Sequence, residues 1–309
     1  MSDPLSEVIT LLRPRTVVSK PISGAGRWAV RYDAFGQPSF CAVLDGGCRL
    51  VVDGHDPLTL DAGDFVLLPA TPGFVLSGFD AVATPVHLDP HVAAAQTGEV
   101  RHGTRGGRPD VRLQGGHFAF DSPDASLLTT LLPAVVHVRD AGRLTLLVRM
   151  VGEESRERRA GRDLALTRLV ELLLIEALRA TSGEDAPPGL LRGLADARLA
   201  PAIREMHRQI ARSWTVTQLA RKAGLSRSTF FERFSRAVGL APMAYLLAWR
   251  MAVAKDLLRQ RDLGVEQVAA RVGYGSASTF STAFARHVGE PPRRFARRRT
   301  TMDATIAGR

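Results

Sequence analysis

One stretch of this chain occurs twice. Gln218-Leu219-Ala220 is matched by Gln267-Val268-Ala269 at an offset of 49, and Ser226, Phe230, Phe234, Val238 and Gly239 are matched by Ser276, Phe280, Phe284, Val288 and Gly289 at an offset of 50. Equal caps, turns and aromatics at equal spacing hold both copies to one supersecondary unit. In the first copy Thr217 can cap a short helix that turns Leu219, Ala220 and Ala223 inward, and Gly224 supplies the backbone freedom for a tight turn. Ser226 then caps a second helix with the stripe Phe230, Phe234 and Val238, and Gly239 ends it. Helix, glycine turn and capped second helix make the helix-turn-helix pattern. The second copy has a turn one residue longer, Gly273-Tyr274-Gly275-Ser276. Between the copies Pro242 opens a helix running to Leu258, about 17 residues and roughly 25 Å long. Such a rod can hold the two second helices at a fixed separation. For both to enter one side of a DNA duplex, that separation is about 34 Å, one turn.

Charge follows the repeat. Of 41 Lys and Arg against 31 Asp and Glu, residues 196–309 hold 21 against 8, which leaves 20 against 23 elsewhere. The positive excess is confined to the last third, which suits a polyanion partner for that part alone. At 309 residues and 45% apolar composition, two domains are expected. No apolar run is long enough for a membrane span, and the start lacks the pattern of a secretory signal, so a cytoplasmic protein is expected. Cys41 and Cys48 are too few for a disulfide framework or a cysteine-rich zinc site.

The first 120 residues read as short strands divided by Asp-Gly and Gly-Gly turns. The strands expected are 27–32, 40–44, 48–52, 58–60, 65–69 and 117–120, with Asp45-Gly46-Gly47 as a turn and residues 93–110 as a mobile loop. Helical spacing follows at Leu127, Leu128, Leu131 and Leu132, then at Leu144, Leu147, Val148 and Val151, then from Arg162 to Ala180. In the last of these Leu164, Leu172 and Ile175 widen the apolar stripe beyond one packing surface. The second face either meets another subunit or stays within its own domain. Residues 181–189 are rich in breakers and read as a linker. The expected division is a sensor and dimerisation domain at 1–182, a linker at 183–197 and a DNA-binding domain at 198–299, with repeat units at about 217–238 and 266–288.

In Leu219-Ala220, Gly224-Leu225-Ser226, Phe230, Phe234, Gly239, Trp249-Arg250-Met251, Leu257-Leu258, Val268-Ala269, Gly273-Tyr274, Phe280, Phe284, Gly289 and Pro291-Pro292, the chain resembles the AraC family of bacterial transcription regulators over roughly 198–298. Gly46 and Leu60-Asp61-Ala62-Gly63-Asp64-Phe65-Val66-Leu67-Leu68-Pro69 resemble a cupin barrel, as in AraC members with a cupin-like sensor domain. The fold class expected is α+β, a cupin-like β-barrel with trailing helices followed by an all-α double helix-turn-helix domain. The resemblance implies sequence-specific binding of double-stranded promoter DNA, control by a small-molecule effector in the barrel, a homodimer, contact with RNA polymerase where the regulator activates, and no membrane partner.

Helix geometry puts Arg227, Ser228, Phe231 and Glu232 on the outer face of the first recognition helix, and Ala277, Ser278, Ser281 and Thr282 on that of the second. Arg227 can pair with guanine, Glu232 can accept from cytosine or stand as a solvated charge, and Phe231 or Ala277 can touch a thymine methyl. Arg286, Arg293, Arg294 and Arg297 suit phosphate contacts, while Arg298 and Arg299 read as a solvated tail. Phe230, Phe234, Phe280, Phe284 and Trp249 are core residues.

A metalloenzyme with a DNA-binding tail is the alternative. Cupin enzymes resemble one another in a His-x-His and a later His, which this chain lacks. Cys41 and Phe74 stand at or near positions where histidine is expected, and Gly115 where cysteine is frequent. His87 and His91 would share a face if helical, but Pro85 and Pro90 oppose a helix there. Cys41 and Cys48 serve either as small buried apolar groups or as a redox sensor. A repair protein would need a cysteine-rich zinc module. The expectation is therefore a regulator with no enzymatic activity, no catalytic residue, no bound metal and no cofactor.

Overall fold

A computed structural model describes residues 3–96, 98–120, 133–157, 159–180, 188–260 and 262–297. The chain forms two compact units, one from residues 13–120 and 133–180, the other from residues 3–12 and 188–297. The helix expected at 127–132 and most of the linker at 181–189 lie outside the described residues.

The first unit is a curled sheet backed by two helices. Its strands are β1 (Pro14–Ala25), β2 (Ala29–Tyr32), β3 (Ser39–Val52), β4 (Leu58–Asp61), β5 (Phe65–Leu68), β6 (Phe74–Ser77), β7 (Val86–His87), β8 (Val100–Gly103), β9 (Val111–Phe120) and β10 (Val136–Val138), in the main order β7-β2-β6-β3-β9-β1-β8. β3 makes the curl. Its first half pairs with β5 and β9, its second half with β4 and β6. The two expected strands at 40–44 and 48–52 are thus one strand, and Asp45-Gly46-Gly47 is not a turn. The register against β9 shifts between Val43 and Asp45, and Gly46 takes φ +72° at a place where a Cβ would run into the Asp110 carbonyl. Glycines that signal a hairpin in sequence here permit a bulge, which bends the strand between its two partners.

Nor is 93–110 a loop throughout, although 104–110 holds no helix or strand. A short helix α2 (Pro90–Ala95) precedes β8, which pairs in parallel with Ile22–Ala25 and buries Val100 and His102. Pro90 opens that helix, because a first helical residue needs no amide hydrogen. The helices α3 (Gly142–Arg156) and α4 (Arg162–Ala180) lie against each other and against β1. Gly152 lets α3 approach β9 closely, since a Cβ there would meet the Gln114 amide at 2.7 Å. On α4, Leu166, Val170, Leu173, Leu174, Ala177 and Leu178 are buried, while Leu164 and Leu172 are exposed. The curl encloses an apolar cavity between its two halves.

The second unit is helical: α1 (Pro4–Leu12), α5 (Leu190–Ala195), α6 (Leu199–Arg208), α7 (Val216–Ala223), α8 (Arg227–Val238), α9 (Pro242–Gln260), α10 (Val265–Arg271) and α11 (Ala277–Val288). α5 falls inside the expected linker at 183–197, but Leu190 and Leu191 are buried and the helix packs on α6 and α8. α1 also belongs here, packing on α6 and α9. His207 of α6 ties it down. Its Nδ1 lies 2.7 Å from Glu7 Oε2 and its Nε2 lies 2.6 Å from the Tyr245 hydroxyl of α9. Burial pushes the Tyr245 phenol far up, so the O–H donates to Nε2 and the Nδ1–H donates to the Glu7 carboxylate. Among the described residues no single helix is long and apolar enough to cross a membrane.

Candidate nucleic-acid interface

Both repeats fold as helix, glycine turn and capped helix. In the first, the cap lies two residues before Thr217. Thr215 Oγ1 accepts from the Gln218 N–H at 3.2 Å, and Gln218 Oε1 accepts from the Thr215 N–H at 3.1 Å. This is a reciprocal capping box, legible as threonine followed three residues later by glutamine. The second copy has Gly264 at the equivalent place, and its N–H donates to Gln267 Oε1 at 3.0 Å. Gly224 is left-handed at φ +63°, and Leu225 N–H donates back to the Ala220 carbonyl to close the turn. Ser226 and Ser276 each accept from the N–H three residues on, at 3.2 and 3.1 Å.

Phe230, Phe234, Phe280 and Phe284 are fully buried. Trp249 is also buried, 4.3 Å ring to ring from His207. The rod α9 belongs to both cores. Tyr245 packs edge-on to Phe234 near its start, while Met251, Ala254 and Leu258 near its end pack with Phe280 and Phe284. A brace at its middle joins the segment leading into the first repeat to the turn of the second. Arg250 donates to the Ile210 and Arg212 carbonyls at 3.0 and 2.7 Å, and its guanidinium lies 6.0 Å from the Tyr274 ring of the second turn. Gly273 sits in the same junction at φ +83°, where a Cβ would fall 2.5 Å from the Ala211 carbonyl oxygen.

The recognition positions differ between the two helices. On α8, Arg227, Ser228, Phe231 and Glu232 are all exposed, and Phe231 is 46% exposed despite its aromatic ring. Neither Arg227 nor Glu232 has an ion-pair partner among the described residues. On α11, Ser278 and Thr282 are exposed, and Ala277 and Ser281 are half-buried. Their hydroxyls are partly spent on the helix itself: Ser281 Oγ donates to the Ala277 carbonyl at 2.7 Å and Thr282 Oγ1 to that of Ser278 at 3.2 Å. A groove beside α11 is lined by Gly264, Glu266, Ala277, Ser278, Ser281 and Arg293, which brings Arg293 next to the second recognition helix. Arg286, Arg294 and Arg297 are exposed, and Arg294 lies 3.6 Å from Glu290. Arg298 and Arg299 lie outside the described residues.

Three further exposed cations were not singled out from the sequence. Arg221 and Lys222 on α7 and Arg271 on α10 are exposed cations on the first helix of each repeat. The signal for two of them is the basic pair Arg221-Lys222, one residue short of Gly224. Arg233 on α8 has a structural task. Its Nε donates to Asp196 at 2.6 Å, and the other oxygen of that carboxylate accepts from the Arg198 and Leu199 N–H groups that open α6. Burial raises the Asp196 carboxyl, but Arg233 and the two amides outweigh it and hold the group below the usual range.

In the barrel, His87 lies in β7 and His91 in α2, so no single helix carries both. Among the described residues no three His, Cys, Asp or Glu side chains converge as metal ligands would. Cys41 and Gly115 are partners across β3 and β9. Burial pushes the Cys41 thiol up to about 12 and the Cys48 thiol higher still, so both stay protonated and unreactive near neutral pH.

Residues 3–182 match a family model described as cupin, and residues 219–298 match one described as a helix-turn-helix domain. The chain is 39% identical over 297 residues to an AraC-like transcription regulator of Streptomyces lividans, covering 94% of this chain and 96% of that one. It is 38% identical to another from Streptomyces antibioticus, covering 94% and 97%. A solved DNA-binding domain of AdpA, the global transcriptional factor, in complex with a target DNA is 31% identical, covers 31% of this chain and 87% of that one, and has a TM-score of 0.30. With a cupin-type N-terminal half, twin helix-turn-helix units and full-length relatives at this identity, the chain belongs to the AraC family of DNA-binding transcription regulators.

Proposed function

We propose that this protein is a ligand-responsive, sequence-specific regulator, rather than an enzyme, and that α8 and α11 read adjacent major-groove segments of promoter DNA. The observation that carries this is the shared rod. One helix supplies core residues to both repeats, so two capped recognition helices with open outer faces are held by a single element. Arg227 pairs with guanine, Glu232 accepts from cytosine, and Phe231 and Ala277 touch thymine methyls. Ser228, Ser278, Ser281 and Thr282 complete the reading faces. Arg286, Arg293, Arg294 and Arg297 contact phosphates and supply a salt-dependent affinity, together with Arg221, Lys222 and Arg271.

The two helices contribute unequally. α8 carries long charged side chains, whereas α11 carries short ones, and the hydroxyl hydrogens of Ser281 and Thr282 go to its own backbone. Base discrimination therefore sits mainly under α8, and α11 adds fit and methyl contacts. The protein acts in the cytoplasm as a homodimer, through the exposed Leu146 and Met150 of α3 and Leu164 and Leu172 of α4. RNA polymerase is a partner where it activates.

Selection of binding sites from random DNA with the purified protein tests the reading. The expected product is two blocks about one helical turn apart, with the stronger preference in one of them. Random recovery, unchanged by Arg227→Ala, would overturn it.

A further inference from the structure

We infer that the barrel cavity binds a small molecule with one apolar ring and one anionic group, and that Lys20 is the partner of that anion. This rests on reading the barrel as the sensing part, and it adds the ligand's chemical class. The cavity offers about 120 Å³ to the centre of a water-sized sphere. That is the scale at which apolar cavities take a single small ring. Its wall is aromatic and aliphatic. Tyr32 and Phe74 stack at 4.9 Å, and Phe40, Leu50 and Val66 continue the surface.

The polar groups on the wall are few, and their charge is one-sided. Among the described residues Lys20 is the one of fixed charge there, and no Asp or Glu of theirs lines the cavity. The Lys20 ammonium donates to the Gln96 backbone carbonyl and makes no ion pair among the described residues. The phenol and the thiol on the wall stay neutral. Burial pushes Tyr32 to about 12 and Cys41 to about 12, so neither supplies an internal counter-charge. An ammonium held only by a neutral carbonyl, at the edge of an apolar wall, gains a charge-assisted hydrogen bond from an incoming carboxylate. The wall meanwhile takes the ring. A neutral analogue keeps the ring contact and loses the charged one.

The test is calorimetric titration of the full chain with 4-ethylbenzoate and with neutral 4-ethylbenzamide. Wild type should prefer the benzoate about tenfold. Lys20→Met should abolish that preference without weakening the amide, and Lys20→Arg should keep it. Val18→Trp, which fills the cavity from β1, should remove both. Lys20 is half-exposed, so the preference is readable even where Val18→Trp fails to fold. Absence of binding, equal binding of both compounds by wild type, or a preference that survives Lys20→Met would each overturn the inference. The same samples are assayed for binding to a selected DNA site without compound. Retained DNA binding then places such a failure in the ligand assignment, and lost DNA binding places it in the regulator reading.

Discussion

Arg250→Met removes the brace at the middle of α9 and leaves the apolar stem of the side chain in place. Two hydrogen bonds from a charged donor to backbone carbonyls disappear, at 3.0 and 2.7 Å. Such bonds contribute about 1.5–3 kcal/mol each when buried. Arg250 is half-buried and Arg212 is exposed, so water recovers part of each. The contact with Tyr274 at 6.0 Å adds about 0.5 kcal/mol. The helical unit should therefore lose about 2–3 kcal/mol, read by denaturant unfolding. The larger consequence is functional. Both repeats keep their own cores, because the Phe230–Phe234 and Phe280–Phe284 clusters do not contain Arg250. Each should still bind its own block. What falls is part of the advantage of presenting both at once, since α9 still joins the two cores; rigid linkage makes that advantage worth about a hundredfold or more. Fluorescence anisotropy on a two-block site and on a site with one block scrambled separates the effects. The two-block affinity should drop at least tenfold more than the single-block affinity. An equal loss on both sites would refute the reasoning.

Other expectations follow from single contacts. His102 stacks on Trp28 at 5.5 Å, and burial lowers its pKa to about 4. The unfolded chain takes up a proton near pH 6.5 while the fold resists it, so barrel stability is full above that value and falls as pH drops from about 6.5 towards 4. The loss amounts to about 3 kcal/mol, and thermal melts of His102→Leu should show a flatter pH profile. Asp196 is held below the usual carboxylate range, so its contribution is present at neutral pH and is lost on acidification through that lowered value. Asp196→Asn should cost about 1–2 kcal/mol at pH 7 and progressively less on acidification, measured by urea unfolding. Arg227→Ala should relax discrimination at one base pair by about 1–3 kcal/mol, whereas Thr282→Ala should change every site variant by less than about 0.5 kcal/mol. A mutational scan of the operator distinguishes them.

The repeat was legible because its signals are local. Ser226, Gly224 and the phenylalanine pairs act within one or two turns of their own helix, and the second copy confirms the first. Several elements were not legible, and α1, β1 and β8 show why, for reasons of range and composition. α1 carries the β-branched run Val8-Ile9-Thr10, and the surface that makes it a helix partner includes His207, some two hundred residues away. β1 carries Pro14, Pro21 and Gly24, which read as breakers. Pro21 is tolerated because β8 lies alongside only from Ile22 onward. β8 itself gains its order from that parallel pairing, which no local pattern announces. Among the proposed contact residues, the open faces of α8 and α11 could be read from helical period. The spent hydroxyls of Ser281 and Thr282 and the structural role of Arg233 needed coordinates.

The proposed reading of DNA requires a fixed spacing between α8 and α11. Inserting five base pairs between the two blocks of a selected site rotates one block to the opposite side of the duplex, and inserting ten returns it to the same side but moves it a full turn away. With a rigid α9, both insertions should reduce binding to that of a single block. Affinity that survives the five-pair insertion would contradict the account.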